Sequence, residues 1–126
     1  MEDLGKLLLR LVLGMLILLH GVAKVMSGPE FVVGLVEKTG LPGELGYLVY
    51  VGEVIAPLLI IMGLWTRLAA LVIAVNMAVA VFLVHMPELF TFSRSGGWAL
   101  ELQGMFFFTA LAIALLGPGR YAVSAR

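Results

Sequence analysis

Hydrophobic residues fill four long stretches of this chain, and short polar or glycine- and proline-containing segments separate them. The stretches cover about residues 6–26, 44–64, 68–86 and 98–116. A helix needs about 20 mostly apolar residues to cross the hydrocarbon core of a bilayer. The pattern therefore predicts an all-α protein with four transmembrane helices, which short connections arrange as an antiparallel bundle.

The segment between the first two stretches has a different pattern. Ser27-Gly28-Pro29 ends the first helix, and from Glu30 onward apolar residues recur at helical spacing beside Glu37 and Lys38. This spacing predicts a short amphipathic helix that lies in the membrane interface. The glycines and proline of residues 39–43 end it.

Composition agrees with a membrane protein made of one domain over residues 1–126. The chain is 62% hydrophobic and 13% charged, whereas soluble domains are about 45–50% apolar and about 25% charged. The formal net charge is zero, so the clustered positive charge that binds nucleic acid is not expected. Cysteine is absent from the sequence, which excludes thiolate nucleophiles and thiolate-ligated clusters. The expected surroundings are the lipid bilayer.

Lysine and arginine are more frequent on one side of the predicted bundle. The side with both termini carries five of them, Lys6, Arg10, Arg67, Arg120 and Arg126, and the other side carries three, Lys24, Lys38 and Arg94. Positive residues favour the cytoplasmic side. Both termini are therefore predicted to be cytoplasmic.

Polar side chains concentrate in the outer half of the predicted bundle, and with His85 of the third helix they come from all four helices. The candidates for binding a ligand or handling protons are His20, Lys24, Tyr50, Glu53, Glu101 and Gln103. The secondary candidates are Arg10 at the inner end, Asn76 near the middle of the third helix and His85 at its outer end. Ionisable groups inside a membrane are functional candidates because burying them is unfavourable. The alternative interpretation is structural ion pairing.

Glu53 is the most informative of these residues. It lies roughly 12 Å below the outer end of the second predicted helix, at about 1.5 Å per residue. Pro57 follows it by four residues and has no N–H to donate to the Glu53 carbonyl. A carboxylate and a freed backbone oxygen therefore occur together. An ion pair of Glu53 with Lys24, Arg10 or His20 is the competing hypothesis.

The first helix has one face of polar and small residues, Arg10, Gly14, Ile17, Gly21 and Lys24. Small residues on this face should let another helix approach closely. Arg10 and Lys24 lie near opposite membrane surfaces, and their long side chains are expected to reach them. His20 lies too deep for that. Asn76 is expected to join helices, and His85 to be solvated.

These residues also carry a resemblance to a known family. Arg10-Leu-Val-Leu-Gly14 with His20-Gly21-Val-Ala-Lys24, then Glu53, Gly63-Leu-Trp-Thr66-Arg67 and Gly117-Pro118-Gly119-Arg120-Tyr121, resemble the DoxX family. Many relatives have glycines after the second-helix glutamate, where this chain has Ala56-Pro57. The resemblance implies four transmembrane helices in a bacterial or archaeal inner membrane, and an association with quinone-linked oxidoreductase systems.

Three functions stay open at this point. The favoured one is a membrane subunit of a redox system that contacts a quinone and works with redox partner proteins. Haem is disfavoured, because only His20 and His85 could ligate it and they differ in depth, and no metal site is predicted. The second function is small-molecule binding or transport, and the third is a structural or assembly subunit. A homo-oligomer is compatible with each.

Overall fold

The computed structural model describes residues 1–85, 91, 97 and 100–123, and this part of the chain is helical with short turns. Helix α1 spans Glu2–Ser27 and α2 spans Glu30–Lys38. A continuous helix, here called the second span, covers Gly43–Met62. It joins a 3₁₀ turn Gly43–Tyr47, α3 Leu48–Tyr50, a π-helical turn Val51–Ile55 and α4 Ala56–Met62.

The third span covers Thr66–Leu83 and the last helix is shorter. The third span consists of α5, Thr66–Ala80, which runs into a π-helical turn Val81–His85. The last helix, α6, covers Glu101–Leu116. Three of these helices are long and apolar enough to cross a membrane, and α6 is apolar over 16 residues. The predicted start of the fourth helix at residue 98 lies outside the described residues.

The turn between the second and third spans falls slightly earlier than predicted. Gly63 adopts a left-handed conformation with φ 76° after Met62. Its N–H donates to the Ile60 carbonyl, and the Leu64 N–H donates to Leu59. This is a Schellman motif, which ends a helix where glycine tolerates positive φ. The second span therefore stops at Met62 rather than 64, and the third starts at Thr66 rather than 68.

The core lies where α1, α4, α5 and α6 meet. One isoleucine from each of the first three spans, Ile17, Ile60 and Ile73, is fully buried there with Ala110 of α6. Large apolar side chains also remain exposed on every span, among them Leu19, Ile55, Val75 and Phe108. Such a continuous apolar surface is unfavourable in water and suits lipid. The chain is therefore an all-α membrane protein.

Helix α2 packs against the beginning of the second span. Gly46 is buried, and a side chain there would stand 3.1 Å from the backbone of Val33. Val36 of α2 is also buried, while Glu37 and Lys38 are exposed. The amphipathic pattern of this segment is thus present in the fold, and its apolar face turns toward the second span.

Arg10 is buried at the opposite end of the bundle, which corrects the expectation that its side chain reaches the surface. Only 1% of it is exposed. Its guanidinium donates to four carbonyls, those of Ile60 and Ile61 at 3.0 and 3.1 Å and those of Pro118 and Tyr121 at 2.9 and 2.8 Å. The segment after α6 lies against this end of the bundle and supplies two of these acceptors, the Pro118 and Tyr121 carbonyls. Local sequence pattern could not predict a contact between residues so far apart.

Candidate functional site

A buried ion pair between α1 and the second span is the centre of the polar residues. Lys24 Nζ lies 2.6 and 2.7 Å from the two carboxylate oxygens of Glu53. The Glu53 side chain is 3% exposed and that of Lys24 is 38% exposed. Lys24 belongs to the last turn of α1, yet its ammonium points toward the carboxylate rather than away to the nearby surface. The carboxylate is thus compensated, as a buried charge requires.

The backbone around Glu53 widens into a π-helical turn. Pro57 cannot donate to the Glu53 carbonyl, and the Ala56 N–H donates to Val51, five residues back. Single π turns inside α-helices occur frequently at functional positions. The predicted irregularity at Pro57 is therefore present, and it takes the form of one wider turn.

Gly21 lets α1 contact this turn directly. A side chain there would collide with the carbonyl oxygen of Glu53 and stand 2.6 Å from its carbonyl carbon. Gly14, two turns earlier, has Ile61 and the Pro57 carbonyl as neighbours in the same way. The predicted close approach of another helix to the small-residue face of α1 is thus confirmed. This close approach brings Lys24 within reach of Glu53.

Tyr50 completes the outer side of this group. Its hydroxyl donates to the Lys24 carbonyl at 3.5 Å, which is a long hydrogen bond. Its ring is tilted against that of Tyr47 with centroids 6.3 Å apart. Tyr50 therefore lies beside the ion pair and contacts the lysine backbone.

Asn76 of the third span lies at the same depth on the facing side. It packs on Gly52, where an added Cβ would stand 2.6 Å from the Asn76 Cγ and 2.9 Å from its Oδ1. The Asn76 Nδ2 is buried and has no hydrogen-bond partner among the described residues. A carboxamide that joins two helices would normally bond across the interface. Asn76 thus joins the second and third spans, as expected, by packing against Gly52.

A cavity of about 920 Å³ connects these groups. Its walls come from α2, the second span and the third span, and the described lining residues are apolar except for Lys24, Thr39, Glu53 and Asn76. Several lining residues are also exposed on the outer surface of the helices, including Val51, Val75 and Phe82. Ligand pockets are about 300–1,000 Å³ and mostly apolar with a few placed polar groups. The cleft has this character and opens toward the lipid-facing side.

The remaining predicted site residues do not join the ion pair. His20 is exposed, and its ring meets that of Phe106 edge-on with centroids 5.7 Å apart. Glu101 is exposed near Gly97, and Gln103 is half-buried on α6. The side chain of His85 lies outside the described residues. Among the described residues, no group of three or more histidine or acidic side chains could hold a metal ion. Of the six candidates predicted in the outer half, Lys24, Tyr50 and Glu53 therefore lie together, and His20, Glu101 and Gln103 lie apart from them.

Comparisons with known proteins identify the family of this chain. The sequence profile of the DoxX family matches residues 5–86, a range that includes most of α1 and all of α2, the second span and the third span. The chain belongs to the DoxX family. A protein of Haemophilus influenzae, named "Uncharacterized protein", is 35% identical over 103 residues, which are 79% of this chain and 75% of the relative.

A second relative carries a functional name. "Putative oxidoreductase CatD" of Bacillus subtilis is 27% identical over 115 residues, 91% of this chain and 81% of the relative. No solved structure is significantly similar to the chain. The family is therefore shown by sequence, and the name of this relative bears on function only as a proposal.

Two features of the cleft were missed by the sequence interpretation. Gly52 provides the space that Asn76 occupies, and α2 forms part of the cavity wall with Val32, Leu35 and Val36. The alternation of apolar and charged residues in α2 indicated an apolar face, but lipid was the expected neighbour of that face. Gly52 gave a weaker signal, because a glycine beside Glu53 also suits simple helix packing.

Proposed function

We propose that this DoxX-family protein is a membrane subunit of a redox system and that its cleft binds a quinone. The observation that carries the proposal is the buried Lys24–Glu53 pair, which lines an otherwise apolar cavity of about 920 Å³. A quinone needs apolar walls for its ring and tail and a polar group near a carbonyl oxygen. The Lys24 ammonium is a hydrogen-bond donor, and Glu53 is a group that can exchange a proton.

The proposal assigns electron transfer to a partner. Reduction of a quinone to a quinol takes up two electrons and two protons, and this chain has no nucleotide-binding fingerprint. The electrons would come from a partner oxidoreductase, and the chain would hold the quinone and conduct protons through Lys24, whose side chain is partly exposed. The oxidoreductase name of the Bacillus subtilis relative supports this assignment.

The proposed membrane arrangement is a bundle of four transmembrane helices in the inner membrane. Both termini would be cytoplasmic, α2 would lie in the outer interface, and residues 1–126 would form one domain. The contacts of Arg10 with Pro118 and Tyr121 support this arrangement, because they join the first and last helices at the same end of the bundle.

A binding experiment tests the site. In mild detergent, a short-tailed quinone should raise the melting temperature of the purified protein, and the shift should fall by more than half in Glu53→Gln. The matched control is Glu44→Gln, which changes an exposed carboxylate on the same span and should keep the full shift. A double variant, Lys24→Met with Glu53→Gln, avoids an uncompensated lysine if the single variant folds poorly. Equal stabilisation of all variants would remove Glu53 from the site.

A further inference from the structure

The cleft contains a buried hydrogen-bond donor that no described residue of the protein accepts from. Asn76 lines the cavity, and its Nδ2 is buried without a partner among the described residues. A buried, unsatisfied amide destabilises the fold, and such a group in a native protein calls for an explanation. The other polar lining groups differ in this respect: Lys24 and Glu53 bond each other, and the Thr39 hydroxyl donates to the Val36 carbonyl at 2.6 Å.

Depth and charge restrict what could satisfy this donor. Asn76 follows the start of the third span by ten residues, roughly 15 Å along the helix, which is near the middle of a bilayer core about 30 Å thick. A charged lipid headgroup is strongly disfavoured at that depth. Lys24 provides no free positive charge to offset one, because Glu53 neutralises it. The acceptor therefore belongs to an uncharged group.

The shape of the cleft indicates an elongated molecule. Lining positions on the third span run from Leu68 to Leu83, roughly 22 Å along the helix at about 1.5 Å per residue. Nearly all of the side chains along this length are apolar. A hydrocarbon or isoprenoid tail could lie along the groove while a polar head stays at the level of Asn76 and Glu53.

We propose that Asn76 is the ligand-orienting residue of the cleft and donates from its carboxamide to a carbonyl oxygen of an uncharged, long-tailed amphiphile. Rotation about χ2, which has broad energy wells for asparagine, turns the amide from the wall toward the cleft. Gly52 has no side chain at this contact, so the carboxamide packs directly against the backbone of the second span. The inference rests on the proposed function in that it uses the same cleft, but it does not require the ligand to be redox-active.

The test compares Asn76→Leu with the wild-type protein, using probes of equal tail length. The probes are a long-chain quinone, a methyl ketone, a fatty-acid anion and an alkane, and binding is measured by titration in detergent. The wild-type protein should bind the two uncharged carbonyl probes more tightly than the anion or the alkane. In Asn76→Leu the advantage of the carbonyl probes should fall at least about tenfold. Glu44→Gln, which changes an exposed side chain outside the cavity lining, should bind as the wild type does.

A second readout separates ligand binding from a structural role. Leucine has the same branching and number of side-chain heavy atoms as asparagine and removes the unsatisfied donor, so ligand-free Asn76→Leu should melt at the same temperature or higher. A lower melting temperature of the ligand-free variant, or unchanged binding of the carbonyl probes, would overturn the inference. Binding of the ketone without the quinone would overturn the proposed function and leave the inference standing. Binding of neither would overturn both.

Discussion

Two buried charges in this protein are stabilised in different ways. Glu53 pairs with Lys24, whose ammonium lies within hydrogen-bond distance of both carboxylate oxygens. Arg10 instead donates to four backbone carbonyls and, among the described residues, no carboxylate pairs with it. Those carbonyls belong to the end of α4 and to the segment after α6, where backbone acceptors have lost their helical partners. Arg10 is therefore a structural residue, whereas the Glu53 pair faces the cleft.

Replacing Arg10 should destabilise the fold strongly. Arg10→Gln removes a charged donor that bonds four carbonyls, and hydrogen bonds from charged donors contribute about 1.5–3 kcal/mol each. We expect a loss of about 3 kcal/mol or more in the free energy of unfolding, measured by thermal or denaturant unfolding in mild detergent.

Arg67 offers the matched control for that measurement. It also donates to backbone carbonyls, those of Ala114 and Leu115 at 3.2 Å, but it is exposed. Water or lipid headgroups can replace its contacts, so Arg67→Gln should lower stability by less than about 1 kcal/mol. Equal losses for the two variants would show that burial of Arg10 does not determine its contribution.

At the level of helices, the glycines of α1 determine how closely the second span approaches. Gly21 contacts the backbone of the π-helical turn, whereas Gly5 has open space around it. Gly21→Ala should therefore separate the helices and lower stability by about 1–3 kcal/mol, as overpacking does. It should also weaken quinone binding, since Lys24 and Glu53 would move apart.

The Gly5→Ala variant should behave in the opposite way. Alanine stabilises a helix by about 1 kcal/mol relative to glycine when its side chain meets nothing. Opposite signs for the two substitutions, measured by the same unfolding assay, would support the packing argument. A stabilising effect of Gly21→Ala would contradict the close contact.

Helical spacing predicted the packed face of α1 well, because one periodicity governs Arg10, Gly14, Ile17 and Gly21, and all four are buried. Helical spacing could not predict whether residues at the edge of that face are buried or exposed. His20 borders the face, and a small rotation of α1 decides whether its ring meets the bundle or the outside. The structure places it on the outside. The wider turn at Glu53 was indicated by Pro57, but its geometry depends on the approach of Gly21 from another helix.

For the whole molecule, the ends of the chain meet at one end of the bundle. The Arg120 N–H donates to an Asp3 carboxylate oxygen at 3.1 Å, and the Val123 N–H donates to the Met62 carbonyl at 3.0 Å. Two termini on the same side of a membrane require an even number of crossings. With three long apolar helices described, we expect the shorter α6 to supply the fourth crossing. Lysine and arginine counts predict that this shared side is cytoplasmic.

Cysteine labelling tests this topology directly, since the natural sequence has no cysteine and every introduced thiol is a unique reporter. Three exposed positions are suitable for labelling, with the substitutions Glu2→Cys, Thr39→Cys and Arg120→Cys. A membrane-impermeant maleimide should label Thr39→Cys in intact cells and the other two only after permeabilisation, and the cysteine-free parent should stay unlabelled. Labelling of Glu2→Cys and Arg120→Cys from opposite sides would exclude four crossings. Labelling of both from outside would keep four crossings and reverse the orientation, placing the Lys24–Glu53 level in the inner half of the membrane.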